Sequence, residues 1–218
     1  MIGLEQILWQ DLCRRLSYLL WDVKSTVQTR NKKTQSVHRL KWQFSLGATC
    51  NAMNATGFTE PHNSRIGKGV HLTPVEERDL PRWKVDIWVV CLEIIKLLDP
   101  AWVGDYDDIA VYLSCIDSNG HYHVKKHKDS DDLTYQWAIF LGDFSGAMLR
   151  LFKEDGETVL MDVVLKPYLV LKMDGRLPHQ LLFKEFTGVR YAVFFYKSFD
   201  RTMAEDADIL TTPTYFIL

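Results

Sequence analysis

From Ile109 to Tyr196 the chain is a succession of short β-branched and aromatic runs. They are Ile109–Ile116, Tyr135–Leu141, Ala147–Phe152, Thr158–Val164, Tyr168–Met173, Leu181–Phe186 and Val189–Tyr196. Turn-forming pairs stand between them: Asn119-Gly120, Gly142-Asp143, Asp155-Gly156, Lys166-Pro167, Asp174-Gly175 and Thr187-Gly188. Seven or eight strands at this spacing predict an antiparallel sandwich or barrel. Before Ile109 the periodicity is helical. Leu4, Ile7, Leu8, Leu12, Leu16, Leu19, Leu20, Val23 and Val27 recur at three- and four-residue steps and predict an amphipathic helix over Leu4–Thr29. A second helix is expected after Thr73-Pro74. Pro81 breaks or kinks it, and a core helix then runs from Arg82 to Leu98, stopped by Asp99-Pro100. Between the helices, Lys41–Leu46 alternates as a strand does, and Cys50–Gly69 reads as a long loop. The expected class is α+β, with N-terminal helices packed on one face of a β core. Residues 1–108 form the helical support region, 109–200 the core and 201–218 a C-terminal tail.

Composition bounds the function. Aromatic residues make up 12% and hydrophobic residues 47%, enough to fill a core, so global disorder is excluded. No apolar run approaches the ~20 residues of a membrane span. The N-terminus lacks the pattern of a signal peptide. Cys13, Cys50, Cys91 and Cys115 form no CxxC, and they are expected as reduced, mostly buried thiols of an intracellular protein. The net charge of −2 argues against nucleic-acid binding by bulk charge. Any such binding needs a local patch, and Lys24–Lys41 holds six cations and no acid. Trp9 and Trp21 are expected to pack against the core.

The chemistry points to His127-Lys128-Asp129. In an extended segment, residues i and i+2 share a side, so an imidazole and a carboxylate lie together, suited to two cis positions on one metal. His179, near a strand start, is the candidate third ligand. Two histidines and one carboxylate on one face of an octahedron leave three positions open, as in non-haem Fe(II) oxygenases. Arg190 lies inside the apolar strand Val189–Tyr196 and needs a buried anionic partner. Either an internal salt bridge or a dicarboxylate cosubstrate supplies one. His121 and His123 share a face, and they either line the entrance, touching substrate, or form a second metal site with His127. Lys125, Lys126 and Lys128 flank the triad and could attract a phosphate backbone.

The runs Tyr112–Asp129, Trp137–Leu149 with its Gly142-Asp143-Phe144-Ser145-Gly146 turn, Asp174–His179, and Phe186–Tyr191 with Gly188-Val189-Arg190-Tyr191 resemble 2-oxoglutarate/Fe(II) dioxygenases. Within that superfamily the pattern is most similar to the Tet/J-binding-protein branch, which oxidises methyl groups of DNA pyrimidines. The resemblance covers Ile109–Ser198, about half the chain. Gly146-Ala147 stands where members often carry two glycines. The resemblance implies a double-stranded β-helix (jelly-roll, cupin-like). It implies Fe(II) on His127, Asp129 and His179, and 2-oxoglutarate with its distal carboxylate on Arg190. Ascorbate is an alternative cosubstrate or a reductant. The implied substrate is a pyrimidine methyl group, of 5-methylcytosine or thymine in DNA. His121, His123 and Lys126 are candidate substrate contacts. Two alternatives stay open: a hydroxylase of the same class acting on a protein side chain or small molecule, and a non-catalytic cupin-like binding module.

Overall fold

The computed structural model describes residues 4–23, 42–47, 82–103, 109–118, 124–129, 132–197 and 208–217. Helix α1 is Leu4–Trp21. Its buried stripe is Trp9, Leu12, Cys13, Leu16 and Leu20, continued by Val23. The helix stops eight residues before the expected Thr29: Asp22 still bonds Tyr18, but Val23 bonds Leu20 in a tightened last turn. Trp21 is a second departure. It lies about 100° around the axis from Leu20 and is 69% exposed, so it is not a packing residue. Strand β1 is Trp42–Gly47. Helix α2 is Arg82–Leu98, as expected, and a short helix α3, Pro100–Val103, follows. Asp99 accepts from the Trp102 amide at 3.0 Å, a cap on α3. Its other oxygen accepts from Tyr135 Oη at 2.9 Å and Trp137 Nε1 at 3.2 Å, tying the helices to the strands.

The β core contains β2 Ile109–Asp117, β3 Gln136–Phe152, β4 Val159–Leu165, β5 Leu169–Met173, β6 His179–Lys197 and β7 Thr214–Ile217. All pairings are antiparallel, in the order β1-β2-β6-β3-β5-β7, with β4 on the far half of β3. The segment expected as a tail thus adds an edge strand beside β5.

Two expected turns are corrected. Gly142-Asp143 and Thr187-Gly188 do not separate strands; they lie inside β3 and β6, which pair across both sites. Gly142 (φ 98°) and Gly188 (φ 83°) take left-handed conformations. A Cβ on Gly188 would lie 2.0 Å from the Asp143 carbonyl oxygen, and one on Gly142 would lie 2.2 Å from that of Val189. Only glycine allows so close a backbone crossing. Farther along, the register of β3 against β6 shifts between Ser145 and Ala147; before the shift β3 pairs with β5 and after it with β4, which makes a larger and a smaller sheet region.

The faces alternate with the pleat. In the larger sheet Val111, Leu113, Cys115, Ile139, Leu141, Val193 and Phe195 pack against α1 and α2. The opposite face contributes Ala138, Phe140, Leu169, Leu171, Met173 and Ala192 to an interior shared with Ala147, Leu149, Leu151, Val163 and Leu165 of the smaller sheet. This is the expected double-stranded β-helix with helices on one outer face. Cys13, Cys91 and Cys115 are buried thiols outside any disulfide. Among the described residues, no helix is long and apolar enough to cross a membrane.

Candidate metal centre

His127 and His179 pair as an isolated antiparallel bridge. Each amide donates to the other's carbonyl, at 3.0 and 2.9 Å. Directly opposed residues project their side chains together, and the ring centroids are 4.3 Å apart. Asp129, two residues after His127, brings its carboxylate alongside. Oδ1 lies 3.9 Å from His127 Nε2, and Oδ2 lies 3.6 Å from His179 Nε2. One donor atom from each of the three falls within 4.8 Å of the others. The i, i+2 argument and the distant third histidine therefore meet in one cluster.

Hydrogen bonding fixes the tautomers. His127 Nδ1 lies 2.9 Å from the Lys125 carbonyl, and His179 Nδ1 lies 3.0 Å from that of Leu177. A carbonyl only accepts, so each Nδ1 carries a proton, and Nε2 is the atom of each ring left to a metal. Such outer bonds are the usual companions of metal-binding imidazoles. His179 is buried, and that burial holds its pKa below the ordinary 6.5; the neighbouring Asp129 opposes the shift and His127 adds to it. Two neutral imidazoles and a carboxylate on one side fit a divalent first-row metal.

Arg190 is 3% exposed. It pairs with Ile116 of β2 and Gly142 of β3, on the pleat face that looks into the interior. Its guanidinium lies 5.7 Å from the Phe140 ring centre and 5.6 Å from that of Phe183, within cation–π range. Tyr112 was missed as a site residue by sequence reasoning. Burial pushes its phenol up to about 12, a side-chain bond to Ser114 pulls against this, and both Arg190 and Asp129 act on it electrostatically. It thus faces the same interior as the arginine and the carboxylate. The signal was present as Tyr112 and Ser114, polar residues alternating within an otherwise apolar strand.

Lys126 is exposed, but its ammonium donates to the Gly156 carbonyl and lies 4.7 Å over the Phe152 ring. It straps the His127 segment to the β3–β4 turn. Lys125 and Lys128 are exposed beside it. His121, His123, the Lys24–Lys41 segment, Cys50 and the Cys50–Gly69 loop lie outside the described residues.

No protein-family model matches the chain, and no curated protein matches it. Among solved structures, a deletion mutant of Bacillus subtilis oxalate decarboxylase is similar at 13% identity with a TM-score of 0.30, over 42% of this chain and 22% of that one. A tryptophan variant of the same enzyme is similar at 14% identity and a TM-score of 0.31, over 51% and 24%. HppE with Co(II) is similar at 9% identity and a TM-score of 0.31, over 41% and 46%. The chain thus spans less than half the length of each of these proteins.

Proposed function

We propose that this protein is a non-haem Fe(II) dioxygenase using 2-oxoglutarate. The observation that carries the reading is the cluster of His127, Asp129 and His179, with both Nδ1 atoms engaged by backbone carbonyls, on an interior that also receives the buried Arg190. His127, Asp129 and His179 would hold the metal. When bound, iron and 2-oxoglutarate would, with O₂ as the oxidant, supply the conversion of a C–H bond to C–OH, one oxygen atom going to the product and the other to succinate, with CO₂ released. The chain's own contribution is positional. The two carbonyl bonds orient each ring and engage its Nδ1, which leaves Nε2 aimed at the site. Arg190, held by the Phe140 and Phe183 rings in a dry interior, offers its planar fork to the distal carboxylate of 2-oxoglutarate. Tyr112, kept neutral by its raised pKa, offers a hydroxyl on the same wall.

For the substrate, we infer a pyrimidine methyl group in DNA from the similarity of the motifs to the Tet/J-binding-protein pattern. The exposed Lys125 and Lys128 beside the cluster suit a phosphate backbone.

The test combines calorimetry with turnover. The wild-type protein should bind Fe(II) anaerobically and, once O₂ is admitted, convert 2-oxoglutarate to succinate. His127→Ala, Asp129→Ala and His179→Ala should each lose the metal while keeping the fold. Undiminished Fe(II) affinity in all three variants would sink the reading. Succinate formation stimulated by DNA containing 5-methylcytosine or thymine supports the substrate. Stimulation only by a peptidyl side chain or a small molecule moves it there.

A further inference from the structure

We propose that Gln136, together with the Asp174-Gly175-Arg176 turn, positions the carboxylate of Asp129 for metal binding; this rests on the metal reading above. The two histidines are placed by their mutual backbone bridge. Asp129 lies outside that bridge. It lies outside any strand, and its side chain is 41% exposed. A carboxylate on such a segment samples several rotamers unless something holds it.

Two contacts do. The Asp129 amide donates to the Gly175 carbonyl at 2.8 Å, which fixes the backbone. Gln136, 3% exposed at the start of β3, donates from Nε2 to Asp129 Oδ2 at 3.3 Å, which fixes the carboxylate.

Gly175 is required by the same arrangement. A Cβ there would lie 2.3 Å from Gln136 Nε2, 2.5 Å from Asp132 Oδ2 and 3.1 Å from Asp129 Oδ2. Three polar side-chain ends converge on the bare face of this glycine, and any side chain would push them apart. The turn that presents Gly175 is itself locked. The Asp174 carboxylate is fully buried and accepts from Arg176 Nε at 2.9 Å, Arg176 Nη2 at 2.7 Å and the Leu210 amide at 2.9 Å. Arg176 Nη2 also donates to the Asp208 carbonyl at 2.9 Å. The segment before β7 therefore clamps the turn, the turn holds Gly175, and Gly175 and Gln136 hold Asp129. Contacts that orient a metal ligand in this way typically change affinity ten- to a hundredfold when removed, as an order of magnitude.

The experiment is a Co(II) titration followed by d–d absorption, on wild type, Gln136→Met and Gly175→Ala, with thermal unfolding of each metal-free protein. Methionine keeps the length of glutamine and removes the donor. In Gln136→Met, Co(II) affinity should fall by about tenfold or more, with a shifted absorption band, in protein that remains folded at the titration temperature. Gly175→Ala should lose at least as much. Wild-type Co(II) affinity and spectrum in either folded variant would overturn the inference. Failure of both variants to fold would overturn it too, since the shell would then serve folding and not the ligand. Wild-type protein that binds no Co(II) at all would instead remove the metal reading, and that arm alone identifies it.

Discussion

The two imidazoles of the cluster differ mainly in burial: the His127 side chain is 45% exposed and the His179 side chain 9%. The buried ring is the one whose pKa is held below 6.5, so its lone pair survives into mildly acid solution. Arg190 poses the sharper test. It is enclosed by two phenyl rings, and a lysine keeps the charge but loses the fork. Arg190→Lys should raise the KM for 2-oxoglutarate by about tenfold or more, since one hydrogen bond to a charged group contributes roughly 1.5–3 kcal/mol. Fe(II) affinity should be unchanged, as Arg190 is no ligand. Steady-state kinetics beside calorimetry decide this. Intact turnover in the variant would make the arginine structural.

The long strands depend on their irregular residues. Gly188 combines a φ of 83° with a backbone oxygen 2.0 Å from where a Cβ would sit. Gly188→Ala should destabilise by about 1–3 kcal/mol or more, from strain alone, read as a lower urea midpoint. The Asp174 turn predicts a pH effect. Burial raises the cost of its charge, yet the Arg176 and Leu210 bonds outweigh it and hold the carboxyl below 3.8. A carboxyl lowered by folding contributes stability that is present above its unfolded pKa and disappears as pH falls through its folded one. Acid unfolding of wild type should therefore steepen below pH 3.8, and Asp174→Asn should be less stable at neutral pH and flatter in that range. Equal slopes in the two proteins would remove Asp174 from the account.

At the scale of the molecule, one sheet separates two apolar clusters. The larger lies under the helices and includes Trp9, which is 1% exposed. The smaller fills the β-helix interior behind the metal cluster. Trp9→Ala should cost about 3–5 kcal/mol, the range for a large buried aromatic, seen as a lower midpoint in denaturant. Co(II) affinity of the folded variant should stay at the wild-type value, because Trp9 packs on the sheet face opposite the site. A parallel loss of metal affinity would mean that the helices set the site's geometry.

Local pattern determined much of this protein. The period of two from Ile109 onward, the helical stripe through Leu16 and the Arg82–Leu98 helix follow from each residue's own preferences and its neighbours. His127 and Asp129 share a side for the same reason, since i and i+2 are local. Tertiary structure decided the rest. His179 and Arg190 are an odd number of residues apart, which in a regular strand places them on opposite faces. They face one interior because β6 breaks its alternation near Glu185, at φ 51°: Leu181 and Phe183 point inward before it, Arg190 and Ala192 after it. The partner strand does the same across Gly146, where the register shifts between Ser145 and Ala147. Glycine pairs that read as hairpin turns lie inside paired strands for a related reason. A positive φ serves either a turn or a crossing, and only the strand opposite, here Asp143 against Gly188, selects between them.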